Sequence, residues 1–141
     1  MRLLILDDDL GFQFWLANAL APCGYYIVPA DTVPHANRLL RRLKLSIDLL
    51  LVNPEVENAA EFTASLRREN PRLQVAALLP PGAAEAPLEG IEPNATRTKP
   101  DLSAVTDPEN SAVSEEQQAE WIRFVKEILG HRNAAGSSRT N

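Results

Sequence analysis

The chain has 141 residues, a hydrophobic fraction of 45% and a formal net charge of −5. That length suits one domain with a single well-filled core, and the apolar content excludes global disorder. The acidic balance argues against a general nucleic-acid binder, whose surface would carry a basic field. One cysteine, Cys23, excludes an internal disulfide and a thiolate metal cage. The apolar run at the N-terminus is too short for a signal peptide, and no run approaches the roughly 20 residues of a membrane-spanning helix. A reducing cytoplasm is the expected setting.

Short apolar runs alternate with stretches of helical period, the pattern of a parallel sheet with crossover helices. Arg2–Leu6 reads as the first strand. A helix follows over Leu10–Pro22, with Phe12, Trp15, Leu16, Ala19 and Leu20 toward the core and Gly24 placed to end it. Tyr25–Val28 is the second strand. Asp31 or Thr32 caps a second helix, which tolerates Pro34 in its first turn. Val33, Ala36, Leu39, Leu40 and Leu43 recur along it at helical spacing. Ile47–Val52 is the third strand and Ala59–Glu69 the third helix, with Phe62 and Leu66 inward. Leu73–Leu79 is a fourth strand, apolar enough to be central.

The next stretch is irregular. Pro80, Pro81, Gly82, Pro87, Gly90 and Pro93 leave little room for a full fourth helix, which is therefore expected to be degraded. Ala95–Thr98 is a fifth strand, and residues 101–113 form an extended polar connection. Ser114 and Gln117 make a capping box for a last helix over Glu115–Leu129. The domain is expected to span residues 1–130, with the Ser-, Gly-, Ala- and Asn-rich residues 131–141 as a disordered tail.

Three features stand at strand ends. The first strand empties into Asp7, Asp8 and Asp9; the third ends at Asn53; the fifth is followed by Lys99-Pro100. In an open parallel sheet such ends share one edge, where ligands bind. Acidic cluster, strand-end side chain and Lys-Pro, in this order, resemble the receiver domain of bacterial two-component response regulators (CheY-like). The resemblance covers about residues 1–105 and the last helix. It implies a flavodoxin-like α/β three-layer sandwich, with a five-stranded parallel sheet of order 2-1-3-4-5.

The same resemblance implies a site in which Asp7 and Asp8 match metal-binding acids and Lys99 the family's lysine. Asn53 falls where the family has its phosphate-accepting aspartate. A carboxamide is neutral and its nitrogen lone pair is delocalised, so it cannot form an acyl phosphate. Asp48, at the other end of the same strand, lies roughly 16 Å away at ~3.3 Å per residue and cannot substitute. The family's strand-four hydroxyl falls on Leu79 or Pro80, and its strand-five aromatic on Thr96. Nucleophile, hydroxyl and aromatic rotor are all lost. Weak Mg²⁺ binding at Asp7 and Asp8 is compatible with an amide oxygen as third ligand. With Asn53 present, the trio of Asp7, Asp8 and Lys99 better suits a salt-bridged cluster that closes the sheet edge.

If the switch is lost, function moves to surfaces. On the last helix, Trp121, Ile122, Phe124, Val125, Ile128 and Leu129 cover a wider arc than one core contact needs. Trp121, Phe124 and Ile128 are thus candidates for a homodimer or partner patch, or for packing beneath the irregular segment. Phe14 points away from the core positions of the first helix, on a face where family members dock signalling partners. Arg38, Arg41, Arg42 and Lys44 form a basic strip that reads as a solvated face. His35 and His131 show no ligand spacing.

The reading that emerges is a phosphorylation-independent pseudo-receiver: a non-enzymatic, cytoplasmic protein–protein interaction module of bacterial signal transduction. It needs no cofactor, nucleic acid or membrane. One alternative is an active receiver that accepts phosphate on a neighbouring aspartate such as Asp8 or Asp9, with Mg²⁺. A more distant one is a small flavodoxin-like nucleotide- or flavin-binding domain, against which the carboxylates after the first strand and the lack of a Gly-rich loop both count.

Overall fold

Alternation along the first strand decides the architecture. Leu4 and Leu6 are buried on one side of the sheet, Leu3 and Ile5 on the other. A strand buried on both faces needs helices on both sides, the arrangement of parallel sheets. The computed structural model describes residues 1–44, 46–80, 90–100 and 111–139, with last-helix side chains over 115–130. The elements are β1 (Arg2–Leu6), α1 (Leu10–Leu20), a 3-10 turn (Ala21–Cys23), β2 (Tyr26–Ala30), α2 (Val33–Leu43), β3 (Leu49–Val52), α3 (Ala59–Glu69), β4 (Gln74–Leu79), β5 (Ala95–Thr98) and α4 (Ser111–Arg139).

All pairings are parallel and the strand order is β2-β1-β3-β4-β5. This is the flavodoxin-like sheet expected from the sequence. One core lies between the sheet and α2/α3, around Leu50, Val52, Phe62 and Val75. The other lies between the sheet and α1/α4, around Phe12, Leu16, Leu51, Leu78 and Trp121. The degraded fourth helix was placed mainly on residues 81–89, and most of the polar connection on 101–110; both lie outside the described residues.

Element ends follow local chemistry. Asp9 caps α1, its carboxylate accepting from Phe12 N–H. Thr32 Oγ1 accepts from His35 N–H at the start of α2. Gly24 takes a left-handed φ of 80° to end the 3-10 turn. The second strand runs two residues beyond the expected Val28, through Pro29. A proline is tolerated there because β2 is an edge strand. The helical backbone of α4 runs past Leu129 to Arg139, with no proline in that stretch to stop it.

Gln13 is the structural residue that apolar patterning misses. It is buried on α1, and its Nε2 donates to Asp7 O and Ala30 O at 2.6 Å each, and to Ile5 O at 3.4 Å. One side chain thereby ties the ends of β1 and β2 to α1. Leucine at this position leaves these carbonyls without the amide donor. Gln13→Leu is expected to cost about 2–4 kcal/mol, read as a lower urea midpoint at unchanged m-value.

Candidate functional site: a buried Asp–Lys–Asn cluster

The pocket forms where three strands stop. Asp7, Asn53 and Lys99 are each the first residue beyond β1, β3 and β5. Each still donates its backbone N–H to the last residue of the adjoining strand: Asp7 to Ala30 O, Asn53 to Leu6 O and Lys99 to Leu79 O. The sheet ladder thus fixes all three Cα positions before any side chain interacts. All three side chains are buried, Asp7 completely.

Their polar atoms satisfy one another. Lys99 Nζ lies 3.0 Å from Asp7 Oδ2 and 4.0 Å from Asp9 Oδ2. Asp7 Oδ1 accepts from Asp9 N–H at 2.9 Å and from Asn53 Nδ2 at 3.3 Å. Asn53 Oδ1 accepts from Glu55 N–H at 2.9 Å. The carboxamide is therefore held by both ends: its nitrogen must donate to a carboxylate and its oxygen must accept from a backbone amide. An ionised aspartate could keep the second bond, but it would set two carboxylates against each other in place of the first.

Lys99 Nζ also lies 5.4 Å from the centre of the Phe12 ring, so π density adds to the two carboxylates around it. Asp8 is exposed, and among the described residues it makes no hydrogen bond or ion pair. Asp48 lies at the far end of the sheet, where its Oδ2 accepts from Arg2 N–H. Leu79 and Thr96 sit at the end of β4 and on the exposed side of β5.

A divalent cation would have to compete here with donors already on the oxygens. The Asp7 oxygens are taken by an ammonium and two N–H donors, and the Asn53 oxygen by Glu55 N–H. Among the described residues no group of three or more His, Cys, Asp or Glu is placed to hold a metal ion. The lysine already supplies the positive charge. This bears on the expected weak Mg²⁺ site at Asp7 and Asp8: the one carboxylate is committed and the other stands apart on the surface.

The interface candidates divide. Trp121 and Ile128 are core residues, so they cannot anchor a partner patch. The broad apolar arc of α4 is filled by α1, whose Phe12 meets Trp121 edge-on at 5.4 Å. Phe124 is half-buried, with the Arg97 guanidinium 5.5 Å from its ring centre and 5.3 Å from that of Trp121. Arg97 in turn pairs with Glu120 at 2.9 Å. Phe14 is 74% exposed.

Asn53→Asp tests the wiring. The variant is expected to lose about 1–3 kcal/mol in chelator, the size of one to two pKa units of charge repulsion. Added Mg²⁺ should recover that loss by binding only the folded carboxylate cluster. Thermal melts of wild type should be the same with and without Mg²⁺.

No protein-family model matches the chain, and no curated protein matches it by sequence. Solved structures do match by fold. A response regulator of Chloroflexus aurantiacus superposes with a TM-score of 0.67 at 21% identity, covering 92% of this chain and 97% of its own. A CheY-like receiver domain protein of Methanospirillum hungatei gives 0.68 at 18% identity, over 95% of this chain and 97% of its own. A streptococcal redox sensor evolved from two-component response regulators gives 0.71 at 18% identity, over 97% of this chain and 54% of its own. The chain therefore has the CheY-like receiver fold of two-component response regulators.

Proposed function

We propose that this chain is a pseudo-receiver: a cytoplasmic module of bacterial two-component signalling that works through protein contact, without phosphorylation and without enzymatic output. The observation that carries this reading is the Asn53 amide, buried at the end of β3 and bonded to both Asp7 and Glu55 N–H. An acyl phosphate needs a carboxylate nucleophile there, and the phosphoryl oxygens need an available cation. The amide is inert, and Lys99 is engaged with Asp7. The positions that would relay a switch, Leu79 and Thr96, offer neither hydroxyl nor aromatic ring where the family has them. The streptococcal redox sensor supports the idea that this fold can serve a different task.

With phosphorylation set aside, output rests on surfaces that need no trigger. Phe14 on α1, with the exposed Leu10 one turn before it, and the half-buried Phe124 beside Arg97 on α4 are apolar features available to a partner protein or to a second copy. Aromatic and arginine side chains of this kind dominate binding energy in protein interfaces.

One specific feature favours a second reading. Asp9 is half-exposed, and its Oδ2 lies 4.0 Å from Lys99 Nζ while Oδ1 caps α1. An acceptor at Asp9 would use the same lysine from the other side of the pocket. Incubation with acetyl phosphate and Mg²⁺, followed by intact-mass spectrometry, separates the readings. The pseudo-receiver predicts no mass gain. An acid-stable, base-labile gain of one phosphoryl group, mapped to the Asp7–Asp9 peptide, would establish the active alternative instead.

A further inference from the structure

A parallel sheet points every strand the same way, so its two ends gather different helix termini and loops. At the end that carries Asn53, the exposed or half-exposed acids are Asp8, Asp9, Asp31, Glu55, Glu57 and Glu61. Lys99 at this end is buried and already neutralised by Asp7. The opposite end collects Arg2, Arg41, Arg42, Lys44, Arg68 and Arg72, all exposed. Of the acids there, Asp48 accepts from Arg2 N–H, while Glu69, Glu92 and Glu127 are exposed, so the bases outnumber the acids without excluding them. The net charge of −5 therefore conceals an uneven distribution among the described residues, with an acidic pole and one in which bases predominate.

The poles differ in shape as well. Between α2 and α3, the basic pole has a cleft of about 380 Å³, lined by Asn37, Leu40, Arg41, Ser46, Ser65 and Glu69 among others. The acidic pole carries the connection from β3 to α3, in which Glu55 and Glu57 are exposed while Val56 is buried and anchors it. A loop with two outward carboxylates faces one way; the cleft faces the other, with Arg41 and Glu69 in its lining, and Arg41 also borders a second hollow on α2 with Arg42, Arg38 and His35.

We propose that copies of this chain associate head to tail, the β3–α3 loop of one seating Glu55 and Glu57 against Arg41 and Arg42 of the next. Both complementary surfaces belong to the same chain, which is why the occupant is a second copy. Such a contact is heterologous: it joins unlike surfaces, so assembly continues beyond a pair, into a ring where the rotation between copies closes and into an open chain where it does not. It uses neither Phe14 nor the α4 face, and it stands whether or not Asn53 is silent.

Charges at helix ends also stabilise the helices that carry them, acids at the start and bases at the finish. Helix stabilisation alone predicts a monomer, whereas the proposal predicts self-association governed by salt. The test is sedimentation equilibrium of the full chain across a dilution series at ~0.02 M and ~0.5 M salt, where screening lengths differ several-fold. The weight-average mass should rise with concentration at low salt, and the apparent dissociation constant should weaken at least about tenfold at high salt.

Two charge-reversed variants locate the contact: Arg41→Glu with Arg42→Glu, and Glu55→Lys with Glu57→Lys. Each alone should remain monomeric, with circular dichroism confirming the fold, and their mixture should regain association. A wild type that stays monomeric at low salt overturns the proposal. So does association that is insensitive to salt, that survives both double reversals, or that the mixture fails to restore.

Discussion

A wholly buried carboxylate, Asp7, sets the conditions for everything around it. Removing an ionised acid and an ammonium from water costs several kcal/mol for each, and their attraction offsets this only when the remaining lone pairs are also used. Asp7 meets that condition by facing Lys99 with one oxygen and two N–H donors with the other. The requirement propagates outward. Asp9 must turn its backbone inward, Asn53 must present nitrogen rather than oxygen, and Glu55 N–H must hold the amide in that sense. A neutral amide completes this cluster where a third acid would overload it.

Much of this was legible in the sequence because strand ends are marked by chemistry rather than by propensity. The buried runs of β1 and β3 stop at polar residues and β5 at a lysine, and these three residues are the ones that meet in the pocket. Ala59–Glu69 and Ala95–Thr98 matched the observed α3 and β5 because proline and asparagine punctuate their surroundings. Gln13 was illegible: a buried amide bonded to main-chain carbonyls breaks the apolar pattern and leaves no signature of its own. Trp121 was visible as apolar, but its partner was not. Periodicity shows the width of an apolar face, not what fills it, and here Phe12 does. Asp8 shows the same limit in reverse, since adjacency to Asp7 says nothing about which of the two turns inward.

The layer beneath α4 has its own logic. Lys99 rests over Phe12, Phe12 meets Trp121, and Arg97 lies over both Trp121 and Phe124 before reaching Glu120. Cations and ring faces alternate from the pocket to the surface, each contact worth a fraction of a kcal/mol to about 2 kcal/mol depending on burial. Trp15 Nε1, Trp121 Nε1 and Arg97 Nε are buried with no hydrogen-bond partner among the described residues. Placed between two rings that meet at 78°, the guanidinium has π density on two sides while its own inner N–H is left without an acceptor among the described residues. Packing is favoured here over hydrogen bonding.

Pro29 lends a final property to the sheet. In β2, Tyr26 N–H donates toward β1 and Ala30 O accepts from it, so the intervening odd-numbered positions turn their main-chain groups outward. Proline has no N–H, and at this register the missing donor comes from the free margin and not from the ladder. A stray extended chain that approached β2 would find a gap in the row of donors it needs, together with a ring in its path. The margin is blunted against aggregation by one residue, at no loss of internal bonding.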